Sequence, residues 1–430
     1  MVPYYLFKFM NFKDQKWIGI RKSIGPGLIM AAAAIGVSHL VQSTRAGAEF
    51  GFALVWAVLF ANLFKYPFLE FGPRYAIATG QNMVYGYAKL GRWAIWLFTL
   101  FTVGTMFAIL AAVTVVTASL ASQLTGISLS LPVWSAIILG ISILLLIRNS
   151  YSILDGAIKF LMTILAVSTI VAVVAALFQG GHHTVAEFPT PEIWTATGIA
   201  FIIALMGWMP IPIDASVWHS MWTLERSKQT GHNPSLKESL IDFNIGYIGA
   251  ALFALCFLFL GALIMYGSGE SFAESGAAFS QQLIQLYTLT LGDWAYTVII
   301  ICAFTTMFST TFTVADTYPR VCNEIIAVLK KEEGTEPRSK RYPWLLIGVS
   351  LSSLLFLVLM GDRFRLMIDL ATTLSFLTAP VLAFINYKLI FHTNIDETNQ
   401  PKRWLQWLAI TGIVFLAGFA IFYLYWIIPI

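Results

Sequence analysis

Charge is what this chain has least of. Only 11% of its residues are Asp, Glu, Lys or Arg while 58% are hydrophobic. Soluble domains carry roughly 25% charged residues, so a soluble globular fold is excluded. Cysteine is nearly missing too. Cys256, Cys302 and Cys322 lie in or beside apolar stretches without metal or redox spacing and read as buried small residues. No cluster of acid–base groups suggests an enzyme, no motif asks for a cofactor, and a formal charge of +4 needs no nucleic-acid partner. The first twenty residues are interrupted by Lys8, Lys13, Asp14 and Lys16 and lack a small-residue cleavage site, so the first apolar segment is expected to direct insertion itself.

What remains is apolar sequence in blocks long enough to cross a bilayer, which takes about 20 residues. Eleven spans are expected, at 25–50, 52–75, 94–118, 131–148, 157–178, 193–222, 240–266, 294–322, 343–360, 366–391 and 404–428. With a cytoplasmic amino terminus, all of the 26 basic residues except Arg45, Lys65, Arg363 and Arg365 fall on the cytoplasmic side. The loops at 119–130, 179–192 and 267–293 contain no Lys or Arg, which fixes this orientation by the positive-inside rule and puts the carboxyl terminus outside. The expected location is the cell membrane, as in a bacterial inner membrane, with the lipid bilayer as the main partner. His182, His183 and Glu187 form a small polar outer loop that reads as solvated or, less simply, as a metal site.

Two spans are interrupted. In span 1 the run Ala31–Ala34 leads into Gly36, Val37, Ser38 and His39, and a second half carries Gln42, Ser43, Thr44, Arg45 and Glu49. Polar groups at that depth are tolerated where they face protein or a watery cavity. In span 6, Gly207, Pro210, Pro212 and Asp214 break the helix, because proline removes a backbone donor and disfavours helix in the residue before it. The breaks are five spans apart, so the second copy is inverted relative to the first. That is the pattern of an inverted-repeat transporter with its site at mid-membrane. The expected organisation is a cytoplasmic segment 1–24, a five-helix repeat over 25–180, its inverted copy over 193–391 and an additional helix at 404–428.

Several local motifs resemble the Nramp family of divalent-metal transporters: Gly25–Gly27 (GPG), Ala46–Phe52 (AGAEFGF), Leu54–Leu63 (LVWAVLFANL), Thr79-Gly80 and His219-Ser220. The resemblance implies an all-α integral membrane protein with the LeuT-type 5+5 inverted repeat, broken helices 1 and 6, and an eleventh helix. It also implies the places where ligands should sit. The family's Asp-Pro-Gly-Asn in helix 1 matches Gly36, Val37, Ser38 and His39, without the carboxylate. Aligned through His219-Ser220, the family's Met and His of helix 6 fall on Pro212 and Asp214, although Met209-Pro210 permits a shifted register. Thr373 best matches the polar substrate-facing position of helix 10. Ala94–Ala118 has no ionisable group where proton-coupled members have acids.

Gly36, Ser38, His39, Pro212, Asp214 and Thr373 are therefore the candidate substrate residues, with Arg45, Glu49, His219 and Asp316 as candidates for gating or coupling. Asp214 reads equally as ligand or helix cap, and Arg45 has a ready partner in Glu49 four residues on. A half-helix end with a hydroxyl, an imidazole and no carboxylate suits a small inorganic anion such as bicarbonate. The alternative is a divalent cation (manganese, iron or magnesium), held by His39 and Asp214. Proton or sodium are the candidate coupling ions. Trp208, Trp218 and Trp222 near the second break read as gating or packing residues, with an aromatic pocket for an organic solute as the lesser reading. A channel is the rival class.

Overall fold

A computed structural model describes residues 18–148, 151–179, 191–269, 272–332, 340–361, 363–392 and 395–427. His182, His183 and Glu187 lie outside them, as do Lys8, Lys13, Lys16 and Arg338. The described residues are helical, without strands. Span 1 consists of α1 (Pro26–Ala34) and α2 (Ser38–Phe50), bent by 46° at the break. Spans 2 to 5 are α3 (Val55–Thr79), α5 (Arg92–Thr125), α6 (Leu131–Ile147) and α7 (Tyr151–Gln179), with the short α4 (Met83–Leu90) between spans 2 and 3. Span 6 is α8 (Ala196–Gly207) and α9 (Ala215–Thr230). Span 7 is α10 (Leu236–Met265). After α11 (Gly276–Leu291), spans 8 to 11 follow as α12 (Ala295–Leu329), α13 (Tyr342–Met360), α14 (Phe364–His392) and α15 (Arg403–Ile427).

Seven of these helices are long and apolar enough to cross a membrane, and the bent pair α1–α2 adds another. The other three spans have local reasons for falling short. α3 carries Lys65, Glu70 and Arg74, α6 has 17 residues, and span 6 is divided. Spans 3 and 8 run beyond their apolar windows, to 34 and 35 residues. Hydropathy marks the lipid-facing length, whereas a helix continues wherever its backbone bonds remain satisfied, so α12 carries Arg320 and Glu324, both buried, in its carboxyl-terminal part.

The packing repeats with inverted sense. α2 lies on α10, and its counterpart α9 lies on α3. A Cβ at Gly261 of α10 would stand 2.1 Å from the Thr44 carbonyl oxygen of α2, and one at Gly72 of α3 would stand 2.2 Å from that of Ser216 in α9. Small residues let the backbones close at both equivalent places, as membrane helix packing favours. α5 and α12, the third helix of each repeat, pack directly against each other.

Candidate functional site

The breaks have different local causes. α1 ends at Ala34, and α2 opens with a wide turn over Ser38–Ser43 in which the Ser38 hydroxyl donates to the Ala34 carbonyl at 2.7 Å. Gly36 sits against Thr310 of α12, whose methyl carbon would be 2.9 Å from an added Cβ. Thr310 in turn donates to the Ala32 carbonyl at 2.9 Å. In span 6, residues 208–214 are non-helical between Gly207 and Ala215, where Pro210 and Pro212 cannot supply backbone donors. Asp214 occupies the residue before α9 without a side-chain capping bond to the helix.

Around the turn at Pro212 are two small cavities. The central one, about 20 Å³, takes Ser38 from span 1, Pro210 and Pro212 from span 6, Thr310 from α12, and the rings of Trp208 and Trp218. No Asp, Glu or His lines it. The second, about 10 Å³, lies where α5, the span 6 break and α14 meet, and is lined by Asp214, Thr102, Thr105, Ser375 and Thr378. That volume is about one water-sized sphere. Asp214 Oδ1 and Thr102 Oγ1 are both buried without a hydrogen-bond partner. Asp214 Oδ2 accepts from the Tyr318 hydroxyl at 3.4 Å. Thr105 and Ser375 donate their hydroxyl protons to the carbonyls of Phe101 and Ala371, leaving oxygen lone pairs free for a cation.

This geometry separates residues that the sequence reading placed together. Ser38 and Pro212 share the central cavity, but Asp214 opens into the other one. His39 is fully buried with both ring nitrogens engaged. Nε2 donates to the Ala250 carbonyl at 2.8 Å and Nδ1 meets Ser38 Oγ at 2.7 Å. The ring thus ties span 1 to α10 and lines neither cavity. Thr373 is half-buried beside Tyr423 of α15 and lines neither cavity. The inward positions of α14 are Thr372, which accepts from Gln42, and Ser375, which accepts from Trp208 Nε1 at 2.8 Å. His219 is buried between Trp222 and Phe243 with both nitrogens unpartnered. Asp316 belongs to a network on the Lys/Arg-rich face. It pairs with Arg320 at 2.7 Å and accepts from Tyr342, while Arg320 also binds Glu225 of α9.

Toward the opposite face, Arg45 of α2 closes the seam. Its Nη1 donates to both carboxylate oxygens of Asp369 on α14, at 2.8 and 2.9 Å, and its Nε donates to Glu49 at 3.2 Å. Glu49 is shared with Arg365 at 2.8 Å, Gln42 adds a bond to Asp369 at 3.0 Å, and the guanidinium lies 4.4 Å from the Phe201 ring centroid of α8. At the Lys/Arg-rich face, the Asp242 carboxylate of α10 accepts from Gly25 and Gly27 at 2.9 and 2.6 Å, holding the amino-terminal end of α1. Bonds between elements thus hold span 1 at both of its ends, while on the Lys/Arg-rich side a cavity of about 240 Å³ lies beside Arg320, Glu225 and Glu324. Lys65, a basic residue within an apolar span, does not turn toward a membrane surface; it is fully buried and reaches the span 6 break. Among the described residues, no group of three His, Cys, Asp or Glu side chains converges on a metal-sized site.

Two broken helices, an inverted repeat and a small closed site between them define an all-α membrane transporter of the LeuT type. Comparison with known proteins agrees with that class. The family model for Nramp (natural resistance-associated macrophage protein-like) matches residues 27–426, and the chain belongs to this family. An uncharacterized protein of Pasteurella multocida is 34% identical over 96% of this chain and 94% of its own length. The divalent metal cation transporter MntH of Bradyrhizobium diazoefficiens is 23% identical over 61% of this chain and 60% of its own length. Among solved structures, a manganese transporter of Eremococcus coleocola superposes with a TM-score of 0.71 at 14% identity, covering 94% of this chain and 86% of that one. MhsT, solved with L-phenylalanine, gives a TM-score of 0.61 at 16% identity, over 92% of this chain and 98% of that one. At such identities the superpositions speak to the fold.

Proposed function

We propose that the protein is a secondary-active transporter that carries a divalent metal cation across the cell membrane by alternating access, with the Lys/Arg-rich face cytoplasmic. The two repeats, 25–180 and 193–391, move against each other around the breaks. Family membership and the names of the MntH relatives support a cation over the anion that the sequence alone favoured. The observation that carries the reading is Asp214, a buried carboxylate with an unpartnered oxygen in a cavity walled by hydroxyl groups. Oxygen donors without sulfur or imidazole suit a hard cation, so magnesium and manganese fit better than softer metals. The cavity, about one water-sized sphere, has room for a single dehydrated cation.

Arg45, Glu49, Arg365 and Asp369 act as the outer gate in this scheme. Asp242 and the Arg320 network act as the inner one. Metal uptake into proteoliposomes tests the proposal: saturable manganese or magnesium uptake is expected, with Asp214→Asn reducing it at least about tenfold, the effect of roughly 1.4 kcal/mol. Equal uptake by wild type and variant would remove Asp214 as the ligand. A second reading, a small oxyanion such as bicarbonate, is favoured by one observation: the central cavity has no carboxylate in its wall, although the hydroxyl protons of Ser38 and Thr310 are already given to backbone carbonyls. Labelled bicarbonate uptake without metal uptake would establish it in place of the first.

A further inference from the structure

The amino-acid chain places one lysine in the middle of span 2, and the fold gives it an unusual task. Lys65 is 0% exposed, so its ammonium reaches neither membrane surface. It donates to the carbonyls of Met206 and Gly207 at 2.6 and 2.7 Å and approaches that of Ile211 at 3.5 Å. Met206 and Gly207 are the last residues of α8, beyond the reach of its i→i−4 ladder; the Met206 carbonyl is shared with the Trp208 amide, and no backbone bond is made to that of Gly207 among the described residues. Aligned peptide dipoles make that end negative. Ile211 lies in the break itself. An ammonium has three donors and here faces three carbonyl oxygens.

We propose that Lys65 is a resident cation: its ammonium fills a carbonyl cradle at the broken end of span 6 that would otherwise take up a monovalent ion from solution. Three consequences follow. The break is held in one shape by a tethered charge. The cradle is closed to sodium, potassium or cargo. Finally, Asp214, close enough to interact electrostatically with Lys65, has part of its charge offset, so Lys65 limits how strongly that carboxylate attracts a cation. Lys65 thereby acts as a specificity-determining residue whether the cargo is a cation or an anion.

The test is chemical rescue in the purified full-length protein. Lys65→Ala deletes the ammonium and its stem, leaving a channel that a small ammonium ion can enter; Lys65→Met fills the same space without charge. Thermal unfolding is followed in ammonium, methylammonium, potassium and choline chloride at equal ionic strength. The expected result is that ammonium or methylammonium raises the midpoint of Lys65→Ala well above its value in choline, with no comparable rise for wild type or Lys65→Met. If Lys65→Ala folds only when purified in ammonium or methylammonium, that recovery is the same rescue. A Lys65→Ala protein that responds to these ions no more than Lys65→Met, or that no small cation recovers, overturns the proposal. So does a Lys65→Met protein as stable as wild type. None of these readouts depends on metal transport, so a failed metal assay leaves them intact.

Discussion

If the Arg45–Asp369 contact is the outer gate proposed above, Asp369→Asn loosens it by an amount that can be worked from the structure. Arg45 touches both Asp369 oxygens at 2.8 and 2.9 Å, and the Arg45 side chain is 6% exposed against 29% for Asp369. At an effective dielectric of about 20, charges at that separation attract by about 6 kcal/mol. Desolvation of both groups and the partial exposure of Asp369 remove most of this. Breaking such a pair from one side, with Glu49 still holding the arginine, is expected to cost about 2 kcal/mol. That corresponds to about a thirtyfold shift toward the outward-open state. Thr372, fully buried one turn along α14 and bonded to Gln42, is the reporter. In a background with Cys256, Cys302 and Cys322 replaced, a cysteine at Thr372 is expected to react with an impermeant thiol reagent at least about tenfold faster when Asp369→Asn is added. Glu49→Gln should have the smaller effect, because it leaves the two-pronged contact in place. A rate unchanged by Asp369→Asn in folded protein would refute the gate, and a reaction occurring only from the Lys/Arg-rich side would reverse the proposed orientation.

Other consequences are open to shorter tests. Asp242→Asn weakens the anchor on Gly25 and Gly27 by about 1–2 kcal/mol, and faster amide exchange across α1 is the expected readout. Gly261→Ala forces a methyl to within 2.1 Å of the Thr44 carbonyl and should cost at least about 1–3 kcal/mol. The unfolding midpoint should fall accordingly, whereas Gly104→Ala, with no atom within 4 Å of the new carbon, should leave it unchanged or raised. Thr102→Val removes a hydroxyl from the Asp214 cavity and should weaken metal binding in calorimetry, while Thr373→Val should not; the opposite ranking would return the site to the sequence-derived position on α14.

The breaks are legible in the sequence because proline, glycine and polar residues cost free energy inside an apolar span and interrupt its helix. Their side-chain partners are not legible there. Arg45–Glu49 is visible as an i,i+4 pair, but Asp369 lies 324 residues away and only the fold brings it to Arg45. On α14 the family-matched position and the position bonded to Gln42 differ by one residue, and in a helix one residue is about 100°. That is enough to turn Thr373 toward α15 and Thr372 toward the seam. His39 reads as a pocket residue only if its break opens on one cavity. The π-wound turn at Ser38–Ser43 instead lets its ring reach Ala250. Ala94–Ala118 carries no ionisable group, and hydroxyls in an apolar helix usually bond their own backbone, so nothing in the sequence singles out Thr102 and Thr105 as lining the Asp214 cavity.

The position of the gate bears on the sign of the transported ion. Arg45, Gln42 and Trp208 all bind α14, at Asp369, Thr372 and Ser375, so movement of α14 away from spans 1 and 6 breaks a single row of contacts. Ser375 also lines the cavity that holds Asp214, whereas the central cavity has no α14 residue in its wall. Opening along this seam would therefore expose the carboxylate first. A cation entering there meets Asp214 on one side of the Pro212 turn, with the Lys65 ammonium bound to carbonyls at the same break. An anion would have to pass the carboxylate before reaching Ser38 and Thr310. On electrostatic grounds this order of exposure favours the cation, provided α14 moves first, and the Thr372 labelling rates test that condition directly.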